Sequence, residues 1–180
     1  DNFRFTSDPN SAIGQANLHP GSSEINMVGK DFVYPQVWRS NLAFEARLPW
    51  GIKASVEAMY TKTLNNVRYE DIGLRATGEL DHGNGVKRPV YSRLEKNKYS
   101  NLIYRSNSSK GYSYNITGTL SKDFGFGLDA SIAYTFGESK AANDGLSSQA
   151  VSNWKYNYSY DINGDELYYS NFDMRHRIVG

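Results

Sequence analysis

The chain has 180 residues and a formal net charge of +1, enough for one domain and too balanced to point to nucleic acid or a strongly charged partner. No run of about 18 apolar residues occurs, which excludes a membrane-spanning helix. It leaves membrane-spanning strands open despite a mean hydropathy of −0.63, because such a strand shows only half its residues to lipid.

Tyrosine (14) and glycine (16) abound, helical periodicity is hard to find, and the chain reads as all-β with long polar loops. The absence of cysteine fits the cytosol and an oxidising compartment alike. Residues 1–34 read as the tail of a long loop. A first hairpin is expected over residues 37–63, where "WRSNLAFEARLPWGIKASVEAMY" alternates about Trp50. Its mirror pairs are Leu48 with Ile52, Ala46 with Ala54, Phe44 with Val56, Leu42 with Ala58, and Ser40 with Tyr60. "PWG" at 49–51 makes the turn: Pro49 has a fixed φ and Gly51 tolerates a positive one. Residues 64–110 lack sustained alternation and read as a long loop.

A second hairpin is expected over 111–138, where "SYNITGTLSKDFGFGLDASIAYTF" alternates about Gly125 with its turn at 124–127. That mirror pairs Lys122 with Leu128, Leu120 with Ala130, Gly118 with Ile132, Ile116 with Tyr134, and Tyr114 with Phe136. Lys122 is the one charge in the apolar phase. Residues 139–171 read as another long loop. "FDMRHRIVG" starts a fifth strand over 172–180, with Phe172, Met174 and Ile178 in one phase. The chain opens on "DNFRF" and stops inside an alternation, so a piece of a longer protein is expected.

In residues 38–48, 52–60, 112–120 and 128–136, no even-numbered position is charged. The odd-numbered positions carry six charges: Arg39, Glu45, Arg47, Lys53, Glu57 and Asp129. A soluble sandwich would give the same asymmetry. The order along the strands separates the two readings. Trp38, Tyr60, Tyr112, Tyr114, Tyr134 and Phe136 stand away from the turns, Trp50, Phe124 and Phe126 at them, and small aliphatics lie between. Aromatic girdles about an aliphatic band are what a bilayer selects, whereas a soluble core puts its large rings in the middle. Ten residues at ~3.3 Å, tilted by ~40°, span roughly 25 Å, the apolar height of an outer-membrane barrel. The expectation is therefore an all-β fold of antiparallel up-and-down hairpins forming part of a transmembrane β-barrel in the outer membrane. Its even-numbered face meets lipid, its odd-numbered face lines the lumen, and its long loops are extracellular. The alternative is a soluble β-sandwich binding module that recognises glycans through aromatic loops.

Specific segments carry a resemblance. "NLAFEARLPWGIKASVEAMYTKTLNNVRYED", "SKGYSYNITGTLSKDFGFGLDASIAYTFGESKAANDG" and "NFDMRHRIVG" resemble the barrel of TonB-dependent receptors of the bacterial outer membrane. They resemble most the Oar-like, carboxypeptidase-regulatory-domain-containing type common in Bacteroidetes. "FDMRHR" (172–177) is similar to a strand signature seen widely in those barrels. The likeness runs through residues 31–180 and is less clear over 1–30. It implies a parent with a barrel of about 22 strands, a plug domain and a TonB box, which takes up a scarce ligand. No residues here match the plug or the TonB box, so only strand identity and sidedness carry over.

No enzyme and no cofactor are expected. His19, His82 and His176 fall in no triad or metal-ligand spacing, and His176 lies in the apolar phase, where a structural role is expected. Asp161, Asn163 and Asp165 match positions 1, 3 and 5 of a calcium loop, but Glu166 replaces its glycine and Phe172 its closing carboxylate. An ordinary acidic turn is the better reading. Trp154, Tyr156, Tyr158 and Tyr160 offer rings to a ligand or a surface lipoprotein, or else fold the loop back on itself. Asp173, Arg175 and Arg177 share the lumen phase and read as a bracing ladder of ion pairs.

Overall fold

The computed structural model describes residues 23–81, 83, 85–94 and 98–180. Its elements in chain order are β1 (Ser23–Val28), β2 (Gln36–Arg47), β3 (Ile52–Asp71), β4 (Leu74–Asp81), β5 (Lys87–Arg93), β6 (Tyr99–Ser108), β7 (Gly111–Asp123), β8 (Asp129–Ala141), α1 (Ala150–Lys155), β9 (Tyr168–Tyr169) and β10 (His176–Val179). The class is all-β. In its lower part the main sheet runs β2-β3-β7-β8-β10, each strand antiparallel to the next. This sheet does not close among the described residues: β2 and β10 are paired on one side only.

The first turn has the expected register, with Phe44 opposite Val56 and Leu42 opposite Ala58. Pro49 leads into Trp50 (φ 64°) and Gly51 (φ 72°), and the Leu48 N–H closes the turn on the Ile52 carbonyl at 2.8 Å. The second hairpin differs from expectation by two residues of register. Its mirror point is Phe126, so that Lys122 faces Ala130, Leu120 faces Ile132, Gly118 faces Tyr134 and Ile116 faces Phe136. Turn chemistry decides this. The Asp123 carboxylate accepts the Gly125 N–H (2.7 Å), Gly125 and Gly127 take positive φ, and Phe124 N–H closes on the Leu128 carbonyl at 3.0 Å. Both hairpins thus turn through three residues with an aromatic at the tip.

Residues 64–110 are not the loop expected. β3 runs on for 20 residues, about 65 Å of strand, well above the lower sheet. Its upper part pairs with β6, and the register continues without a slip from Asp71 opposite Ile103, through Asn66 opposite Ser108, to Lys62 opposite Tyr112. β6 and β7 are therefore one strand in two pieces, broken at Ser109–Lys110, where Gly111 (φ 136°) makes the step. The β4–β5 hairpin forms a separate two-stranded arm beyond the end of this ribbon.

Part of the expected tail at 1–34 is also strand. β1 pairs with the outer edge of β6, and it does so in parallel, against the antiparallel expectation. The chain then crosses to the opposite edge of β3 to begin β2. Asn107 supports the crossing, accepting the Val33 N–H (2.8 Å) and donating to the Val33 carbonyl (2.7 Å). The fifth strand begins at His176 rather than at 172, because the Asp173 carboxylate takes the Ser139 N–H (2.6 Å) in place of a ladder partner. Residues 1–22, with His19, and His82 lie outside the described residues.

The buried core sits in the upper part, here termed the cap. Among the described residues, the buried apolar side chains are Ile103, between β1 and β3, and Trp154 of α1. The lower sheet is a single layer, with neither face covered by a second sheet among the described residues.

Candidate functional site

Directly paired residues of an antiparallel sheet project from the same face, so the registers define rows across the strands. On the even-numbered face, the row Ile52–Lys122–Ala130 lies next to the turns. Above it come Ala46–Ala54–Leu120–Ile132, then Phe44–Val56–Gly118–Tyr134–Ile178, then Leu42–Ala58–Ile116–Phe136–His176. These three rows hold no carboxylate and no lysine or arginine. Leu42 is 77% exposed, and Phe44, Val56, Ile116, Leu120 and Ile132 are exposed with it.

Next comes Ser40–Tyr60–Tyr114–Glu138, and above it Trp38–Lys62–Tyr112–Lys140–Tyr169. The last row alternates ring and ammonium across five strands. Lys122 bounds the bare band at the turn end, its ammonium 4.9 Å over the Phe124 ring, and Glu138, with Lys62 and Lys140 one row beyond it, bounds it at the far end. Eight residues of β3, from Ile52 to Tyr60, separate the two limits, about 26 Å of strand. Lys62, Glu138, Lys140 and Tyr169 were missed by sequence reasoning. The signal was present, since each of the first three continues the even-numbered phase of its strand by one or two steps.

The aromatic residues named from sequence occupy this face in small groups. Trp38 meets Tyr60 edge-on at 6.2 Å, Tyr114 lies 6.3 Å from Phe136, and Phe124 lies 5.9 Å from Phe126. Trp50 and Phe126 stand at the turn tips. The change of register sets Tyr134 and Phe136 one row nearer the turn than the expected pairing implied. His176 stacks on Tyr134 at 6.2 Å and lies tilted against Phe136 at 5.3 Å, and its Nδ1 shares a 2.8 Å hydrogen bond with the Tyr134 hydroxyl.

The odd-numbered face carries Arg39, Glu45, Arg47, Lys53, Glu57 and Asp129. Arg47 faces Lys53, Asp129 faces Asp123, and Arg39 Nε donates to Thr61 Oγ1 at 3.1 Å. Thr117 and Thr135 join hydroxyls at 2.9 Å. Arg177 continues this face opposite Thr135. Arg175 instead reaches Glu138 (3.3 Å), Asp173 (3.6 Å) and the face of Tyr169 (4.4 Å). The three residues expected to form one ladder thus divide into Arg177 on the polar row and an Asp173–Arg175 bracket with Glu138.

The cap is organised around Asp71, which is 0% exposed. Its Oδ1 accepts from the N–H groups of Gly73 and Leu102, and its Oδ2 from Arg93 Nη2 (3.0 Å) and Asn101 Nδ2 (2.8 Å). Asn163 joins the backbone of the same residue to Trp154, whose Nε1 donates to Asn163 Oδ1 at 2.8 Å. The acidic turn is therefore occupied by protein partners. Asp161 Oδ1 accepts from the Tyr91 hydroxyl (2.6 Å) and the Asn163 N–H, and Asp165 lies beside Lys110. Among the described residues no cluster of three His, Cys, Asp or Glu offers a metal site. Burial first, and then the hydrogen bond to Asp161, push the Tyr91 phenol up to about 12.

Of the two roles open to Trp154, contact with a ligand or folding its loop back on itself, the structure shows the second: it is a core residue of the cap, 7% exposed. Tyr156, Tyr158 and Tyr160 do point outward, Tyr158 being 77% exposed. Asn157 pins their strip inward through the Ala142 carbonyl (2.8 Å), and Arg88 Nε holds the Tyr160 carbonyl (3.0 Å). Tyr158, Tyr160, Tyr168, Arg88 and Asn157 line a cleft of about 390 Å³.

Compared with protein-family models, curated proteins and solved structures, the chain matches none.

Proposed function

We propose that the chain is a wall segment of an outer-membrane β-barrel of the TonB-dependent receptor type, a transporter that takes up a scarce ligand. The observation that carries this reading is the bare band of the even-numbered face. A single-layer sheet with this much exposed aliphatic surface, about 26 Å long on the strand and flanked by rings and charged side chains at both ends, suits a bilayer crossed by tilted strands. In water such a patch would favour aggregation. The polar odd-numbered face then lines the lumen, and the cap lies outside the cell. In the parent, a plug domain and TonB complete the transporter, and the strip Tyr156–Tyr158–Tyr160 contacts the ligand or a surface lipoprotein.

The test exploits the absence of cysteine. Single cysteines at Ile116, Thr117, Ser131 and Ile132 in the parent protein in proteoliposomes are probed with a water-soluble maleimide and a lipid-phase quencher. Positions 117 and 131 are expected to label from water, and 116 and 132 to report lipid. If 116 and 132 are shielded from both phases, the even-numbered face is a protein core and the soluble binding module takes over.

A further inference from the structure

The topmost row of the even-numbered face has a composition that the rest of the face lacks. Trp38, Lys62, Tyr112, Lys140 and Tyr169 are consecutive register partners across β2, β3, β7, β8 and β9. Their side chains leave the sheet on one side, so the two lysines flank Tyr112 about 10 Å apart at their backbones. Lysine side chains are long enough for the two ammoniums to converge over that ring.

Lys140 lies 4.7 Å over the Tyr169 ring, which also carries the Arg175 guanidinium at 4.4 Å. Glu138, one row below, orients this group. It accepts from the Tyr112 hydroxyl at 2.6 Å and stands 3.6 Å from Lys140 and 3.3 Å from Arg175. Lys62 forms no ion pair with a carboxylate among the described residues. With Glu138 and Asp173 against Lys62, Lys140 and Arg175, the rim stays positive, and one row below it begins an apolar surface that no described part of the chain covers.

We propose that this row binds the phosphate-bearing headgroup of an anionic lipid, whose acyl chains lie on the Leu42, Ile116 and Ile132 surface below. The inference rests on the membrane-wall reading. An ammonium is a compact, strongly hydrated donor suited to phosphate oxygens, and rings placed between ammoniums at headgroup level are at home in the interface. Paired with the apolar band, the charge selects a lipid over a soluble anion.

Trp38 belongs to the row, and this supplies the test. The chain carrying Trp50→Phe is reconstituted in phosphatidylcholine vesicles, leaving Trp38 and the cap-buried Trp154 as emitters. Small mole fractions of brominated phosphatidylglycerol or brominated phosphatidylcholine are then added as quenchers. The anionic lipid is expected to quench Trp38 at about fivefold lower mole fraction than the neutral one, the size expected of one extra ammonium contact. That preference should vanish in the Lys62→Gln, Lys140→Gln variant and persist in millimolar inorganic phosphate. Equal quenching by both lipids, or a preference that survives loss of both lysines, overturns the headgroup site and leaves the wall reading standing. Abolition by inorganic phosphate shows a free-anion site and overturns the lipid assignment. Quenching by neither lipid removes the membrane-wall reading, and this site with it.

Discussion

Asn163 holds the backbone of Asp71 as a neighbouring strand would: its carboxamide oxygen accepts the Asp71 N–H at 2.9 Å, and its amide nitrogen donates to the Asp71 carbonyl at 3.1 Å. The two residues are 92 positions apart, and the clasp docks the irregular segment after α1 onto the end of β3. Asn163→Asp keeps the oxygen and removes the donor, leaving a half-buried carbonyl unpaired. A loss of about 1–3 kcal/mol is expected. Amide exchange should show it concentrated in residues 142–167, with β7 and β8 unchanged.

Asp71 itself accepts four donors through one buried carboxylate. Asp71→Ala strands the Arg93 guanidinium and two backbone N–H groups. It is expected to destabilise the cap by about 3 kcal/mol or more. Denaturant titration in a Trp38→Phe, Trp50→Phe background, followed by Trp154 emission, reads this directly, because that ring lies in the cap core.

Burial of the Tyr91 phenol, together with its hydrogen bond to Asp161, gives the cap an alkaline limit. The folded state holds the phenol at about 12, above the ordinary tyrosine value, so folding favours its protonated form. The stabilisation is complete below the unfolded value of about 10 and is lost as pH rises through the folded one. The melting-temperature gap between the native chain and Tyr91→Phe should be flat from neutral pH to about 9.5. It should close as pH approaches 12.

Leu42 and Ala43 are chain neighbours on opposite faces. Leu42→Arg places a charge in the bare band and, in lipid, is expected to cost about 2–4 kcal/mol of folding stability. Ala43→Arg stands opposite Glu57 and should be neutral or slightly favourable. Urea titration in vesicles compares the two. If Leu42→Arg proves as neutral as a substitution at an exposed site in water, about ±0.5 kcal/mol, the band does not meet lipid.

Glycines 118 and 127 part company in the same way. A Cβ at Gly118 meets nothing within 4 Å, whereas Gly127 sits at φ +91° in the turn. Gly118→Ala should leave stability unchanged, and Gly127→Ala should lower it by about 1–2 kcal/mol, measured by the same titration.

Some of this was legible in the residues, and the failures have definite causes. Alternation reports phase, and the phase of all four hairpin strands follows from it. Phase alone cannot choose between mirror points one residue apart, because Gly125 and Phe126 as centres put the same side chains on the same faces. At the first hairpin Pro49 and Gly51 remove the ambiguity. At the second, the deciding contact is the Asp123 carboxylate on the Gly125 N–H, a turn device that the apolar pattern does not encode.

The upper ribbon was hidden for a different reason. One of its two fully buried positions is an aspartate, and the groups that make that burial tolerable, Arg93 and Asn101, are 22 and 30 positions away. The sequence left Trp154 undivided from Tyr156, Tyr158 and Tyr160, with which it shares a spacing of two. It lies instead in α1, where that period has no meaning.

The unbroken register of β3 against β6 and β7 makes this ribbon a lever. Its lower arm is clamped between β2 and β8, and its upper arm carries the Asp71 cluster and the β4–β5 arm. A rod about 65 Å long that pivots by five degrees at its foot carries its tip through roughly 6 Å. A small rocking of the sheet is thereby magnified at the tyrosine strip, and a load on that strip returns to the sheet as torque.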